Sequence, residues 1–236
     1  MKVLKNWDNK TWLSSSEYIT SFNSFLLKKK KLNKNSRILD IGCGRGKIFG
    51  SLSRKLKLNN KPIGVDPVSH KDVDKSIDFR NEDVLNFFKT NKNKFDLIMI
   101  KQTLHFFNKD KRKKLIKICK NNLKKNGLLI IFSLNTINNE IPCFMLMKQK
   151  LNIGLERDSR MLKLACKALK NHRIYKFKFD VSITKNKYIK MLRQKYISCL
   201  VNLTKKQINK GIKEINDTYL NKIIFKDVLI CIKYKH

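Results

Sequence analysis

Glycine and proline are scarce in this chain, at eight and three of 236 residues. That is too few for a collagen-like, linker-rich or low-complexity protein. No stretch approaches 18 consecutive apolar residues, the longest running over about 127–134, so no membrane-spanning helix is expected. The opening MKVLKNWDNK has no apolar core before its first acid, which argues against a signal peptide. The six cysteines (Cys43, Cys119, Cys143, Cys166, Cys199, Cys231) form no C-x-x-C pair and no Cys/His cluster at zinc spacing. They sit mostly in apolar periodic segments, as buried free thiols do, so a reducing cytoplasmic setting without a structural metal is expected. Apolar residues still make up 42%, enough for a real core, and the length suits one α/β domain with a modest appendage, or at most two small domains.

Acids are also few: 18 against 54 Lys plus Arg, a formal net charge of +36. Such a balance ordinarily points to nucleic acid. Its make-up argues otherwise. Lysine accounts for 45 of the cations and arginine for nine, beside 25 Asn and 26 Ile. Lys, Asn and Ile share A/T-rich codons, whereas base and phosphate recognition favours the bidentate fork of arginine. The lysines are spread along the whole length, so compositional drift is favoured over a polyanion partner, with RNA kept as the alternative.

After a polar N-terminal segment, short β-rich runs alternate with helical patterns, the signature of a parallel sheet with crossover helices. Strands are expected at 36–41, 62–65, 77–80, 95–100 and 127–134, with helices at 47–56 and 110–125. Residues 135–154 read as a long irregular connection. A helix is then expected at 156–169, a half-exposed strand at 174–183, helices at 186–201 and 205–216, and a last strand at 222–234. Thr204 and Gln207 make a capping box for the helix at 205. The run Lys28–Lys31 reads as a solvated helix end or loop.

The most informative stretch is Ile38-Leu39-Asp40-Ile41-Gly42-Cys43-Gly44-Arg45-Gly46. Three of the eight glycines fall within five residues, between a strand and a helix. There the backbone can turn sharply and approach a ligand, while the helix N-terminus offers free N–H donors. Twenty residues past Gly46 stands Asp66, at the end of the second strand, where an acid can accept from two ribose hydroxyls. The spacing G-x-G-x-G departs from the G-x-G-x-x-G of a dinucleotide site.

These residues resemble the class I S-adenosylmethionine-dependent methyltransferases, and most closely the type 11-like branch that mostly methylates small molecules. Residues 39–46 resemble the family's first motif, Gly64-Val65-Asp66 the second, and Asn81-Glu82-Asp83-Val84 the third. Residues 95–100 with Leu104-His105-Phe106 resemble the fourth, and residues 123–128 the turn into strand five. The resemblance covers about residues 36–134. It implies a Rossmann-like α/β fold, with a seven-stranded mostly parallel sheet flanked by helices and a helical insertion between the last two strands. Residues 1–35 would form an arm covering the cofactor site, and 36–236 the methyltransferase domain, with helical cover segments at 135–155 and 184–220. S-adenosyl-L-methionine is the implied cofactor. Gly42, Cys43, Gly44 and Gly46 would line its methionine part and Asp40 would orient its amino group. Asp66, with Pro67 beside it, would hold the ribose diol. Asp83 and the Val84 backbone would read adenine, while Lys101 and Gln102 would border the transferring methyl through backbone atoms. The acceptor would be a small molecule. Lys101-Gln102-Thr103-Leu104 stands where amino-methylating enzymes of DNA adenine and protein glutamine carry N-P-P-Y or D-P-P-Y.

Each assignment has a plainer competitor. Asp66 could cap the following segment, and Asp83 could be the N-cap of a helix over 84–89. His105 is a general base for an acceptor hydroxyl or amine, or a packing residue beside Phe106 and Phe107. Trp7, Trp12 and Tyr18 form an aromatic lid, or else anchor the arm. Phe144, Met145, Met147, Tyr188, Met191 and Tyr196 wall an acceptor pocket, or else pack the core, which is favoured. Arg157, Arg160 and Arg193 clamp an acceptor anion, or else make surface ion pairs, which is favoured.

Overall fold

The computed structural model describes residues 11–236, so Trp7 lies outside the described residues. Seven strands form one sheet: β1 (Ile38–Ile41), β2 (Ile63–Val65), β3 (Asp78–Arg80), β4 (Phe95–Lys101), β5 (Leu123–Leu134), β6 (Arg173–Thr184) and β7 (Lys222–Lys235). Their order is β3-β2-β1-β4-β5-β7-β6. Neighbours from β3 across to β5 run parallel, and β7 runs antiparallel to both β5 and β6. The helices are α1 (Ser16–Lys29), α2 (Lys47–Leu56), α3 (Val84–Thr90), α4 (Lys109–Asn121), α5 (Met145–Ala168), α6 (Lys185–Arg193) and α7 (Lys205–Thr218). Two of them, α6 and α7, lie between β6 and β7, as expected for the insertion.

The strand alternation divides the core in two. Ile38, Leu97, Met99, Leu128, Ile130 and Phe132 join a cluster with Tyr18, Phe22 and Leu26 of α1. Leu39, Ile41, Ile98, Ile100, Leu129 and Ile131 face the other way, toward Leu115 and Ile116 of α4 and Met161 and Leu162 of α5. Burial on both faces explains the apolar runs Leu97–Ile100 of β4 and Leu128–Phe132 of β5. Each fully buried Leu, Ile or Phe there contributes on the order of 1.5–3 kcal/mol.

Four expectations need correction. The segment before β1 is no polar arm throughout: Ser15 caps α1, whose Tyr18, Phe22 and Leu26 are buried. Residues 135–154 are irregular only to Phe144, because α5 begins at Met145 and continues through Gly154. An added side chain at Gly154 would meet open space, so that glycine sits on the outer surface and interrupts no packing. The helix expected over 186–201 stops at Arg193; Lys195 adopts φ +52°, and the chain resumes as a 3-10 turn at Ser198–Leu200. Strand β5 starts at Leu123 rather than 127, with a register shift opposite Phe95 and Leu97, so α4 ends at Asn121 rather than Lys125. The Thr204–Gln207 capping box is present, each side chain accepting from the other's backbone N–H at 3.2 and 2.8 Å.

The strand order reverses between β1 and β4. In open α/β sheets, such a switch leaves a crevice at the carboxyl ends of the two strands, where ligands bind. The glycine stretch, Asp66, Asp83 and Lys101 all leave their strands at that edge.

Candidate active site

The chain turns directly after β1, and the turn is built by glycine. Gly42, Gly44 and Gly46 have φ of +72°, +54° and +68°, a region that side-chain-bearing residues rarely adopt. Packing adds a second requirement at two of them. A Cβ at Gly42 would overlap Thr103, and one at Gly46 would overlap Ile77. At Gly44 it would meet nothing within 4 Å, so the bend is open at its middle glycine. The bend is pinned by Gly42 and Cys43 N–H groups donating to the Val65 carbonyl, at 2.8 and 3.3 Å. Gly46 is the N-cap of α2 and has no side chain to cap it, which leaves the first-turn N–H groups of a ten-residue helix facing the bend uncapped by a side chain. Cys43 is no nucleophile. Burial pushes its thiol well above the ordinary range, with the Asp40 and Asp66 charges adding to the rise.

Two carboxylates flank the bend. Asp40 is 4% exposed, and its Oδ1 is buried without a hydrogen-bond partner. Burial raises its carboxyl to about 7, against the opposing pull of Lys101 and with a push from Asp66. Asp66 is 9% exposed; its Oδ2 accepts from Gly44 N–H at 2.9 Å and its Oδ1 from Val68 N–H at 2.9 Å. The expected capping contact is therefore present, and it also ties this acid to the open glycine. Each carboxylate oxygen keeps a second lone pair for a further donor. Asn81 Nδ2 holds the Asp66 carbonyl at 3.0 Å, while Pro67 beside it is exposed. Asp83 is exposed and is the N-cap of α3, accepting from Leu85 N–H at 2.8 Å, with Val84 as the first helical residue. At the end of β4, Gln102 takes φ +52° and donates its N–H to Phe132 at 2.9 Å; the Lys101 carbonyl accepts from Thr103 Oγ1 at 2.9 Å.

Sequence reasoning missed His70. Its side chain is 4% exposed, Nε2 lies 3.9 Å from Asp66 Oδ1, and Nδ1 is buried without a partner. The only signal in the sequence was its place four residues after Asp66.

Residues 38–127 match a family described as a methyltransferase domain. No curated protein sequence matches the chain. Solved structures share its fold at low identity. The plantazolicin methyltransferase BpumL, in complex with SAH and a pentazolic desmethylPZN analogue, is 15% identical, with a TM-score of 0.55 over 98% of this chain and 88% of that one. A SAM-dependent methyltransferase from Archaeoglobus fulgidus is 18% identical, with a TM-score of 0.51 over 92% and 94%. A protein from Anabaena variabilis, described as a candidate methyltransferase from an antibiotic biosynthesis pathway, is 13% identical, with a TM-score of 0.60 over 90% and 96%.

The remaining candidates separate clearly. Trp12 and Tyr18 are anchored: Trp12 Nε1 donates to the buried Asp227 at 2.8 Å, and Tyr18 sits edge-on to Phe177 and Phe179. Phe144, Met147, Tyr188, Met191 and Tyr196 are buried in the core, while Met145 is 70% exposed. Arg157 pairs with Asp158 at 2.9 Å, and Arg160 and Arg193 are exposed. His105 is half-buried in a 3-10 turn, its ring 4.1 Å from that of Phe106. Burial lowers its pKa to about 4, with Asp158 opposing and Arg157 and Arg112 assisting. A cleft of about 530 Å³ lies by the amino ends of the strands, lined by Arg37, Asn59, Lys61, Phe79 and Asn93 among others. Two of its charged side chains are engaged, Arg37 with Asn93 and Asp78 with Arg80, and the glycine bend and its two buried acids lie at the opposite, carboxyl edge. No group of three or more His, Cys, Asp or Glu among the described residues could hold a metal, and no described helix is long and apolar enough to cross a membrane.

Proposed function

We propose that the protein is an S-adenosylmethionine-dependent methyltransferase that methylates an oxygen or nitrogen of a small-molecule acceptor. The observation carrying this reading is the orphaned, buried Asp40 Oδ1 beside the open Gly44 and the Asp66 it bonds. A buried carboxylate oxygen without a donor is costly unless a ligand satisfies it, and an amino acid's ammonium is a suitable partner. The first-turn N–H groups of α2 suit the adjoining carboxylate. Asp66 would receive the ribose hydroxyls on its remaining lone pairs, and Asp83 and the Val84 backbone would receive adenine. When bound, the cofactor supplies a methyl group already activated on a sulfonium. The chain's task is then to hold the acceptor in line and to exclude water.

A small-molecule acceptor is supported by the desmethylPZN analogue held by BpumL and the antibiotic pathway named for the Anabaena variabilis protein. The distribution of charge supports it over RNA. Exposed lysines lie on α4 (Lys113, Lys117), β6 (Lys176, Lys178) and α7 (Lys206, Lys210), three separate elements. The test incubates cell extract with the enzyme and methyl-labelled S-adenosylmethionine. Label in the small-molecule fraction is expected; label confined to RNA or protein overturns the acceptor class. No incorporation together with no calorimetric binding of S-adenosylhomocysteine overturns the activity itself.

A further inference from the structure

Three charged side chains stand in a row on one face of the sheet at its carboxyl edge. Asp40 of β1 lies opposite Met99 of β4, and Lys101 follows Met99 on that same face, the one covered by α1. Two strands further, Asp227 of β7 shares the face with Phe225 and Leu229, opposite Phe179. It is 2% exposed. The Lys101 Nζ lies 5.5 and 5.6 Å from the ring centroids of Tyr18 and Phe22, under the helix that roofs the row. Burial raises the carboxyls of both Asp40 and Asp227, and the Lys101 charge opposes that rise at each. The other groups acting on Asp40 include Asp66 and the Cys43 thiol. Those facing Asp227 are the Trp12 N–H and the Tyr18 hydroxyl, which is itself buried without a partner. Two carboxylates in an apolar layer call for a cation, and Lys101 is the cation whose charge acts on both.

We propose that the Lys101 side chain is a positioning residue for the cofactor: it is the counter-charge shared by Asp40 and Asp227, and it yields Asp40 to the cofactor's ammonium while staying paired with Asp227. The inference rests on the reading of the glycine bend as an S-adenosylmethionine site. It gives a role to the side chain of a residue whose backbone alone was expected to matter. It also links cofactor occupancy to Asp227, and so to the Trp12 contact that ties down the N-terminal segment.

The test is calorimetry of S-adenosylhomocysteine binding between pH 6 and 8.5, in buffers of different ionisation enthalpy, which counts the protons exchanged. Lys101→Met keeps the stem and removes the charge, so Asp40 holds its proton in the free protein. Affinity at pH 6 then falls about tenfold, the equivalent of one unit in the Asp40 pKa, and by about half that factor at pH 7. Proton release per ligand approaches one, and binding recovers toward pH 8.5. Lys101→Arg restores wild-type behaviour. Asp227→Asn gives a different signature, because Lys101 is left with Asp40 alone and competes with the ammonium: binding weakens at every pH and fewer protons are released than in the wild type. A Lys101→Met protein with the wild-type proton count and pH profile overturns the proposal. If thermal melting shows that this variant does not fold, Asp227→Asn decides, and a wild-type proton count there overturns it equally. Wild-type protein that binds no S-adenosylhomocysteine sinks the cofactor reading itself, and this inference with it.

Discussion

Asp66 Oδ2 and the Gly44 N–H are joined by a hydrogen bond of 2.9 Å across the mouth of the bend. The acid expected to hold a ribose therefore also shapes the loop expected to hold the methionine part. Asp66→Ala should weaken S-adenosylhomocysteine binding by more than about tenfold and also lower the melting temperature, since two backbone donors lose a partner at about 1–3 kcal/mol each. Calorimetry and thermal melting separate the two losses. Unchanged affinity would count against the ribose assignment.

The glycines of the bend should not be equivalent. Gly42→Ala meets both a left-handed backbone and the Thr103 side chain, so it should fail to fold or melt far below the wild type. Gly44→Ala meets the backbone strain alone, on the order of 1–2 kcal/mol, and should remain folded while binding the cofactor poorly. Melting curves of the two variants make the comparison, and equal destabilisation would contradict the open space at Gly44.

Asp40 should make the free protein less stable as pH rises. Its carboxyl is raised to about 7 in the fold, against 3.8 ordinarily, so between those values the native state binds more protons than the unfolded chain. The stability it contributes is complete below pH 3.8 and is lost as pH climbs to about 7. Asp40→Asn should therefore melt higher than the wild type at pH 7.5 and alike at pH 4, while losing cofactor affinity. That is the exchange of stability for function seen at ligand sites.

His70 should matter to the cofactor although no motif marks it. His70→Ala should reduce S-adenosylhomocysteine affinity several-fold, by freeing the Asp66 carboxylate from its neighbour and emptying a closely packed place beside it. Affinity within error of the wild type would make His70 a packing residue.

His105 gives the opposite pH slope to Asp40. With its pKa lowered to about 4, from 6.5 ordinarily, the unfolded chain binds the extra proton between those values. Stability from this group is full above pH 6.5 and lost toward pH 4. A base so weak is poorly matched to neutral acceptor chemistry. His105→Ala should therefore flatten the acid side of the stability curve and leave turnover within about threefold of the wild type. A loss of turnover far beyond that, at normal cofactor affinity, would make His105 the general base.

Much of the fold is legible in the sequence. The apolar runs of β4 and β5 admit little but strands buried on both faces, and three glycines between a strand and an amphipathic helix announce the sharp left-handed turn that follows β1. What escaped had physical reasons. Helix α1 mixes Ser, Thr and Asn with its buried Tyr18, Phe22 and Leu26, so its apolar face is narrow. Gly154 and Asn152 hid a helix whose inner residues Met147, Leu151 and Leu155 keep a four-residue spacing through them. The row of Asp40, Lys101 and Asp227 spans nearly two hundred residues of sequence and exists only once β7 lies beside β5.

The most direct measurement is a crystal structure of the protein grown with S-adenosylhomocysteine. The expected density lies along the 42–46 bend, its ammonium on Asp40, its ribose hydroxyls on Asp66 and its purine beside Asp83 and Val84. Ligand bound elsewhere, or a bend filled by the chain's own side chains, would contradict the assignment of this site.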